Sequence, residues 1–308
     1  MGYQNDTVWK KMQGFLPERN RLTAENVPDE YYLPLLNMEI HIDHYRVENP
    51  KSTLILLHGV GGNGRLLSFI ATRLQANDYE VIAPDLPLYG YTKYRGKITY
   101  DTWVQCAKSI VSHYQKQGVK DVVLFGLSAG GMLAYQVACE CKDIKGIIAT
   151  CILDQRNPIV TRGTATNLVM AITGKPFLWL VNKPFGEVRL PMKMVTKMKS
   201  LANNEELVKL LIQDKRASGI SVPISFLYTM LNLKIKVEPE KFNVCPFLLV
   251  HLEKDTWTDV SLSRLFFDKL ACTKEISMLK GAGHFPIEEQ GLMQLEDNCL
   301  RFLKRVMP

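Results

Sequence analysis

The chain of 308 residues has no run of about 18 consecutive apolar residues, so a membrane-spanning helix is not expected. Its opening, Met1-Gly-Tyr-Gln-Asn-Asp6, lacks the basic start, apolar stretch and small-residue cleavage site of a secretory leader, and secretion is not expected. Asp6 stands where a myristoylation signal needs Ser or Thr, so Gly2 is read as an ordinary glycine. Cysteine is sparse and odd in number: the seven, at 106, 139, 141, 151, 245, 272 and 299, scatter through strand and helix patterns. They read as reduced, packed thiols, which points to the cytoplasm. Cys139 and Cys141 lie two apart on an expected helix and point in different directions, so no zinc site and no other metal site is expected. No internal repeat is visible. What the chain does have is 46% hydrophobic residues, enough to bury one large core without requiring a second domain.

The most informative stretch is Val122-Val-Leu-Phe-Gly126-Leu127-Ser128-Ala129-Gly130-Gly131-Met-Leu-Ala-Tyr135. It places an apolar strand, a G-x-S-x-G turn and a helix start in direct succession. A strand reversing straight into a helix strains its corner residue, and glycines on both sides remove Cβ atoms that would clash. Ser128 is therefore read as a nucleophile on an elbow. A serine hydroxyl is a poor nucleophile at neutral pH, so it needs a base to take its proton and a third group to orient that base. In this turn architecture the partners follow in the order serine, acid, histidine. Asp255 comes after the apolar run Pro246–Leu252, and His284 sits in Gly281-Ala-Gly-His-Phe-Pro286 after a short strand.

Upstream, Thr53–Leu57 runs into His58-Gly59-Val60-Gly61-Gly62-Asn63-Gly64 and then into a helical pattern. A flexible loop or phosphate cradle is the competing reading of these glycines. The stretch lacks the lysine of a P-loop. With Ser128 present it reads as an oxyanion loop, in which the backbone N–H groups of Val60 and Ala129 meet the charge that develops on an acyl oxygen.

These pieces resemble the α/β-hydrolase superfamily, and within it the carboxylesterase, monoacylglycerol lipase and lysophospholipase-like members that share an HGxGG loop. The resemblance rests on His58 to Gly62, the Asp85-Leu-Pro-Leu-Tyr-Gly90 turn, the Gly126 to Gly130 elbow, the Glu253-Lys-Asp255 turn and Gly281 to His284, all in family order. It implies that His58 holds the oxyanion loop by hydrogen bonds, with Gly59, Gly61 and Gly62 shaping it. One departure is visible: Leu88 and Tyr89 stand where relatives usually carry Gly and His, in a loop that borders the pocket in the family. Some superfamily members place the acid one strand earlier, which makes Asp154 the competitor of Asp255. Asp85 is expected to brace its loop, Asp259 to cap a helix, and Glu288 and Glu289 to brace or cap after His284. His41, His44, His113 and His251 lack catalytic context.

Strands are expected near 39–46, 53–57, 80–83, 122–125, 144–150, 246–252 and 275–278, alternating with helices near 64–76, 100–116, 129–141, 259–270 and 289–306. Apolar strands separated by amphipathic helices imply an α/β fold, a mostly parallel sheet covered on both faces, with ligands at the strands' carboxyl ends. The resulting division is a core over 38–154 and 237–308, a helical cap over 155–236, and an N-terminal extension over 1–37 packing on the core, too irregular for an assignment.

Methionines and aromatics interleave with bases in the cap. Between Gln155 and Ser200 eight Lys or Arg face the single acid Glu187, so the whole chain's excess of +7 is concentrated there. A charge so localised reads as a solvated face, or as steering for anionic substrates or an anionic membrane surface, rather than as a nucleic-acid site. The apolar cap residues read as packing onto the core, compatible with an acyl-chain tunnel.

The expected function is a cytoplasmic serine hydrolase of carboxylic esters, taking a small-molecule acyl ester such as a monoacylglycerol or lysophospholipid through an acyl-enzyme. It needs no cofactor and makes no stable membrane insertion, with peripheral contact through the basic cap left open. Thioester or amide cleavage, a lyase reaction, and a non-catalytic ligand receptor are the alternatives on the same fold.

Overall fold

The computed structural model describes residues 2–307. In chain order the elements are α1 (Thr7–Gln13), β1 (Asp29–Leu35), β2 (Met38–Tyr45), β3 (Thr53–Leu57), α2 (Ser68–Gln75), β4 (Glu80–Pro84), α3 (Tyr100–Lys116), β5 (Val122–Gly126), α4 (Ala129–Ala138) and β6 (Ile144–Ala149). There follow α5 (Pro158–Thr164), α6 (Leu168–Phe185), β7 (Arg189–Pro191), α7 (Met192–Val195), α8 (Glu205–Gln213), β8 (Ser221–Pro223) and α9 (Ile224–Leu231). The chain closes with β9 (Phe247–Leu252), α10 (Val260–Phe267), β10 (Lys274–Leu279) and α11 (Glu289–Val306).

Eight strands form one sheet in the order β1-β2-β4-β3-β5-β6-β9-β10. The first two run antiparallel to their neighbours and the rest are parallel. Helices cover both faces, and the chain has the α/β-hydrolase fold. β3, β5 and β9 are buried at every residue, which is why they read as continuous apolar runs rather than alternating ones. α3 opens on a capping box, with Thr99 and Thr102 each satisfying the other's backbone N–H.

Several strands differ from the sequence reading by a residue at an end, and three helices differ by more. The helix expected from 64 begins as a 3-10 turn over Arg65–Leu67 before α2. The one expected to reach 141 ends at Ala138, ahead of the left-handed turn at Asp143 (φ 59). The helix expected over 259–270 spans 260–267, with Asp259 capping it by accepting from the Ser261 N–H. β1, which the sequence did not disclose, joins β2 through a two-residue turn at Leu36 and Asn37, both at positive φ. Such a primed turn matches the twist of a hairpin but usually announces itself with glycine.

The N-terminal segment is tied to the core through buried charge. Asp85, after β4, accepts from the Tyr3 hydroxyl (3.0 Å), the Gly64 N–H (2.7 Å) and the Tyr91 N–H (2.8 Å), and pairs with His41 Nδ1 at 3.0 Å. Arg65, itself buried, bridges Asp43 and Glu30 and lies over the Tyr3 ring. Burial disfavours a charge on His41, but the neighbouring carboxylates of Asp85 and Glu30 outweigh it and raise its pKa to about 10.

Between β6 and β9 the chain leaves the sheet. α5 to α9, with the small β7–β8 ribbon, form a layer beyond the strands' carboxyl ends, and α6 packs on α9.

Candidate active site

Ser128 joins β5 to α4 at φ 55 and ψ −125, a strained conformation for a residue with a side chain. The turn is tight: a Cβ at Gly126 would lie 2.3 Å from the Gly130 carbonyl oxygen, and one at Gly130 would lie 2.0 Å from that of Leu57. Only glycine permits that approach. The Ser128 N–H donates to Thr150 Oγ1 at 3.0 Å, which pins the corner to the end of β6.

The Ser128 hydroxyl lies 2.9 Å from His284 Nε2, and His284 Nδ1 lies 2.7 Å from Asp255 Oδ2. With the proton on Nδ1 the ring donates to Asp255 and accepts from the serine. The carboxylate is itself held: Oδ1 accepts from the Trp257 and Thr258 N–H groups, each at 2.8 Å, and Oδ2 from the Thr258 hydroxyl at 2.6 Å. Burial alone would raise the Asp255 pKa, but the charge and N–H of His284 and the bonds from Thr258 bring it down to about 2. Trp257 packs on the imidazole with ring centroids 4.8 Å apart. Glu288 accepts from the Gly283 and Ile287 N–H groups and from Asn203, bracing the loop that carries His284. Asp154, the competing acid, turns instead to Arg156 at 2.8 Å.

The oxyanion loop packs directly on the elbow. A Cβ at Gly59 would come within 2.7 Å of Ser128 Cβ. His58 is fully buried, with Nδ1 donating to the Gly59 carbonyl (2.8 Å) and Nε2 accepting from the Leu86 N–H (2.9 Å). Those bonds require the neutral ring, and burial lowers its pKa to about 4. Gly62 N–H closes a turn onto Gly59, and Gly61, at φ 81, accepts from the Ser218 hydroxyl of the cap at 2.8 Å. Among the described residues neither the Val60 nor the Ala129 N–H has a hydrogen-bond acceptor, and Ala129 stands at a helix start, where N–H groups are free. The geometry can therefore move a proton from a hydroxyl to an imidazole and meet an oxyanion with two amides.

Two cavities meet at Ser128. One, of about 370 Å³, extends beneath the cap; its lining includes Val60, Met132, Met170, Phe177, Met194 and Trp257. The other, of about 30 Å³, lies on the His284 side between the oxyanion loop and Leu201. The cap's methionines thus divide: Met170, Met194 and Met230 line the large cavity, while Met192 and Met198 are buried in packing. Leu88 and Tyr89 line neither cavity. Leu88 takes φ 89, and Tyr89 packs its ring on His58 and Trp103.

Sequence reasoning did not single out Thr150, Asn203, Ser218 or Thr258. Only Thr258 left a local signal, since a threonine three residues after an aspartate can close a side-chain turn. Glu30, His41 and Asp43 converge within 4.8 Å in the manner of metal ligands, but the Arg65 guanidinium already supplies the cation there.

The sheet, the elbow and the histidine and acid loops define an α/β-hydrolase of the esterase and lipase-like serine hydrolase kind. Residues 48–291 match the family model described as serine aminopeptidase, S33, and the chain belongs to that family. A pimeloyl-[acyl-carrier protein] methyl ester esterase from Aliivibrio salmonicida (strain LFI1238) is 30% identical over 100 residues, 32% of this chain and 35% of that one. Monoglyceride lipase from Saccharomyces cerevisiae, solved as a soluble variant with a substrate analog, superposes with a TM-score of 0.74 at 17% identity over 94% of this chain and 98% of that chain. Monoacylglycerol lipase from Paleococcus ferrophilus gives 0.68 at 20% identity over 87% and 99%. A carboxyl esterase from Bacillus coagulans with bound glycerol gives 0.70 at 15% identity over 92% and 99%. Likeness at such identities speaks for the fold. No helix among the described residues is long and apolar enough to cross a membrane.

Proposed function

We propose that the protein hydrolyses carboxylic esters. The observation that carries this reading is the unbroken hydrogen-bonded line from Ser128 through His284 to Asp255, opening onto an apolar cavity. Ser128 Oγ attacks the ester carbonyl while His284 Nε2 takes its proton. Asp255 holds the imidazole and stabilises its charge, and the Val60 and Ala129 N–H groups receive the oxyanion. Collapse expels the alcohol with the proton from His284 and leaves an acyl-serine. Water, deprotonated by His284, then splits the acyl group off as the acid and restores Ser128. These steps need neither a metal nor an organic cofactor.

The cap over 155–236, set on a core of 38–154 and 237–308 with residues 1–37 packed against it, covers the site in this reading. The two cavities favour an ester with one long apolar group and one small one. The larger suits a medium or long acyl chain, as in a monoacylglycerol or lysophospholipid. The smaller has room for little more than one or two waters, each needing about 10–15 Å³ by this measure. Peptide substrates with a free amino terminus fit less well, since among the described lining residues of either cavity no carboxylate is present to receive an ammonium. Seven free thiols suit the cytoplasm. Of the eight cap bases between 155 and 200 only Arg156 forms an ion pair among the described residues, and α6 exposes Leu168, Val169, Trp179 and Leu180; both support peripheral contact with an anionic lipid surface.

The test is hydrolysis of p-nitrophenyl esters of graded chain length by the wild type and Ser128→Ala, with peptide mapping of fluorophosphonate-labelled protein. Turnover confined to the wild type and a label on Ser128 support the reading. A wild type no faster than the mutant at every chain length, with no label on Ser128, overturns it.

A further inference from the structure

Within the large cavity's mostly apolar lining, one side chain carries charge. Lys175, on α6, is the sole ionisable member that is charged at neutral pH among the described lining residues. Its ammonium donates to the Gln155 carbonyl oxygen, which the Thr161 hydroxyl also reaches at 2.9 Å. Gln155 Nε2 in turn lies 3.2 Å from Thr164 Oγ1, and Gln155, Thr161 and Thr164 line the same cavity. The four residues make a polar island on the cap wall, while Ser128 and Ala129 belong to the core wall.

The island is short of negative charge. Among the described residues Lys175 has no carboxylate within ion-pair distance, and Asp154, the acid whose field reaches it, is committed to Arg156. The carbonyl that Lys175 contacts is already served by Thr161 and does not need the ammonium. An ammonium has three N–H donors, and one neutral oxygen satisfies one of them. Partial burial lowers the Lys175 pKa, as expected for a cation facing apolar walls without a counter-ion. Such a group has N–H donors to offer an anion that arrives beside it. An anion that does arrive binds by charge-assisted hydrogen bonds beside apolar walls, where the attraction exceeds that in open water.

We propose, resting on the ester-hydrolase reading, that Lys175 with Gln155, Thr161 and Thr164 forms a subsite for an anionic oxyacid group, a carboxylate or phosphate, borne by the ester away from its reacting carbonyl. The preferred substrate is then an ester whose apolar chain carries a negative group, and a neutral ester of the same length is the poorer ligand.

The test measures binding apart from turnover. In the full-length Ser128→Ala protein, calorimetry compares methyl octanoate with monomethyl suberate and with ω-phosphorylated methyl octanoate. The anionic esters are expected to bind at least about tenfold more tightly than the neutral one, with an advantage that shrinks as salt is raised. Whichever anion gains more identifies the carboxylate or the phosphate source. Adding Lys175→Met should erase the advantage while methyl octanoate keeps its affinity within about twofold, and Lys175→Arg should retain part of it. Equal binding of neutral and anionic esters overturns the subsite, as does an equal loss for all three ligands in Lys175→Met. Wild-type protein that binds the anionic esters with this preference yet cleaves none of the three overturns the hydrolase reading and leaves the subsite standing.

Discussion

The two walls of the cavity are built on opposite physical terms. The core wall is backed by polar groups held from several sides: behind it Asp255 and Asp85 each accept from several donors and His58 uses both ring nitrogens, and Ser128 is held at a strained φ by a turn that requires glycine at 126 and 130. The cap wall turns large apolar side chains outward as well as inward. Trp179 is 69% and Val169 68% exposed, and Lys175 lacks a carboxylate partner among the described residues. A wall that positions reacting atoms must be overdetermined, because small misplacements cost large factors in rate. A wall that admits a chain must instead adapt, and flexible methionine serves that purpose. Substitutions on the core wall should therefore cost much more than those on the cap.

The largest effect is expected at Asp255. Asp255→Asn keeps the shape but reverses the preferred tautomer, because an amide N–H facing Nδ1 leaves the proton on Nε2, where the serine needs an acceptor. The expected loss in kcat for a p-nitrophenyl ester is about 10³–10⁴-fold with KM little changed. An Asp255→Asn enzyme within tenfold of the wild type would shift the orienting role elsewhere and remove the contrast between the walls.

Next comes Asp85, which touches no substrate. Removing its carboxylate as Asp85→Ala strands the Gly64 and Tyr91 N–H groups and the Tyr3 hydroxyl, and deprives His41 of its partner. The expected loss is about 3–5 kcal/mol of stability in urea unfolding. The cap's Lys183→Ala should stay within about 0.5 kcal/mol of the wild type.

The core wall was also the legible one. G-x-S-x-G, His58-Gly59-Val60-Gly61-Gly62 and Gly281-Ala-Gly-His284 are local, because each records a backbone constraint that few residues satisfy. The buried parallel strands betray themselves by unbroken apolar runs, and Thr53–Leu57 and the helices at 100–116 and 289–306 fall where periodicity puts them. What stayed hidden is non-local or atypical. β1 mixes acids, tyrosines and a proline at the sheet's edge, where one side needs no partner strand. The contacts of Thr150 with Ser128 and Ser218 with Gly61 join residues 22 and 157 positions apart, a distance at which spacing in the sequence carries no information. Lys175 was visible as one of many cap bases, but only folding sets it among apolar walls.

A smaller effect follows from the His58 ring. Its folded pKa of about 4 lies below the usual value of 6.5, so the unfolded chain binds more protons between those values and stability falls as pH drops through that window. The full loss is about 3 kcal/mol at pH 4 or below. Urea unfolding of the wild type at pH 7 and near pH 4.5 should show most of it, and His58→Gln, already weaker at pH 7, should lack this component. His41 acts in the opposite sense: its raised pKa contributes stability that is complete below 6.5 and lost as pH rises through about 10. A wild type equally stable at pH 7 and pH 4.5 would mean that His58 can be charged in place, and that the core wall is less constrained than its hydrogen bonds imply.

The smallest effect should be the change of Trp179 on the cap. Its ring is mostly exposed, so Trp179→Ser removes little packing, and stability should move by no more than about 0.5 kcal/mol. Turnover of a short, dissolved ester should stay within about twofold, because the side chain lines neither cavity. Co-sedimentation with anionic vesicles should weaken, because an indole at a membrane interface contributes apolar contact that serine cannot. Binding to neutral vesicles should be weak for both proteins if the unpaired cap bases supply the attraction. Vesicle binding unchanged by Trp179→Ser, together with a loss of turnover on the dissolved ester, would instead give this residue a part in shaping the cavity and bring the two walls closer in kind.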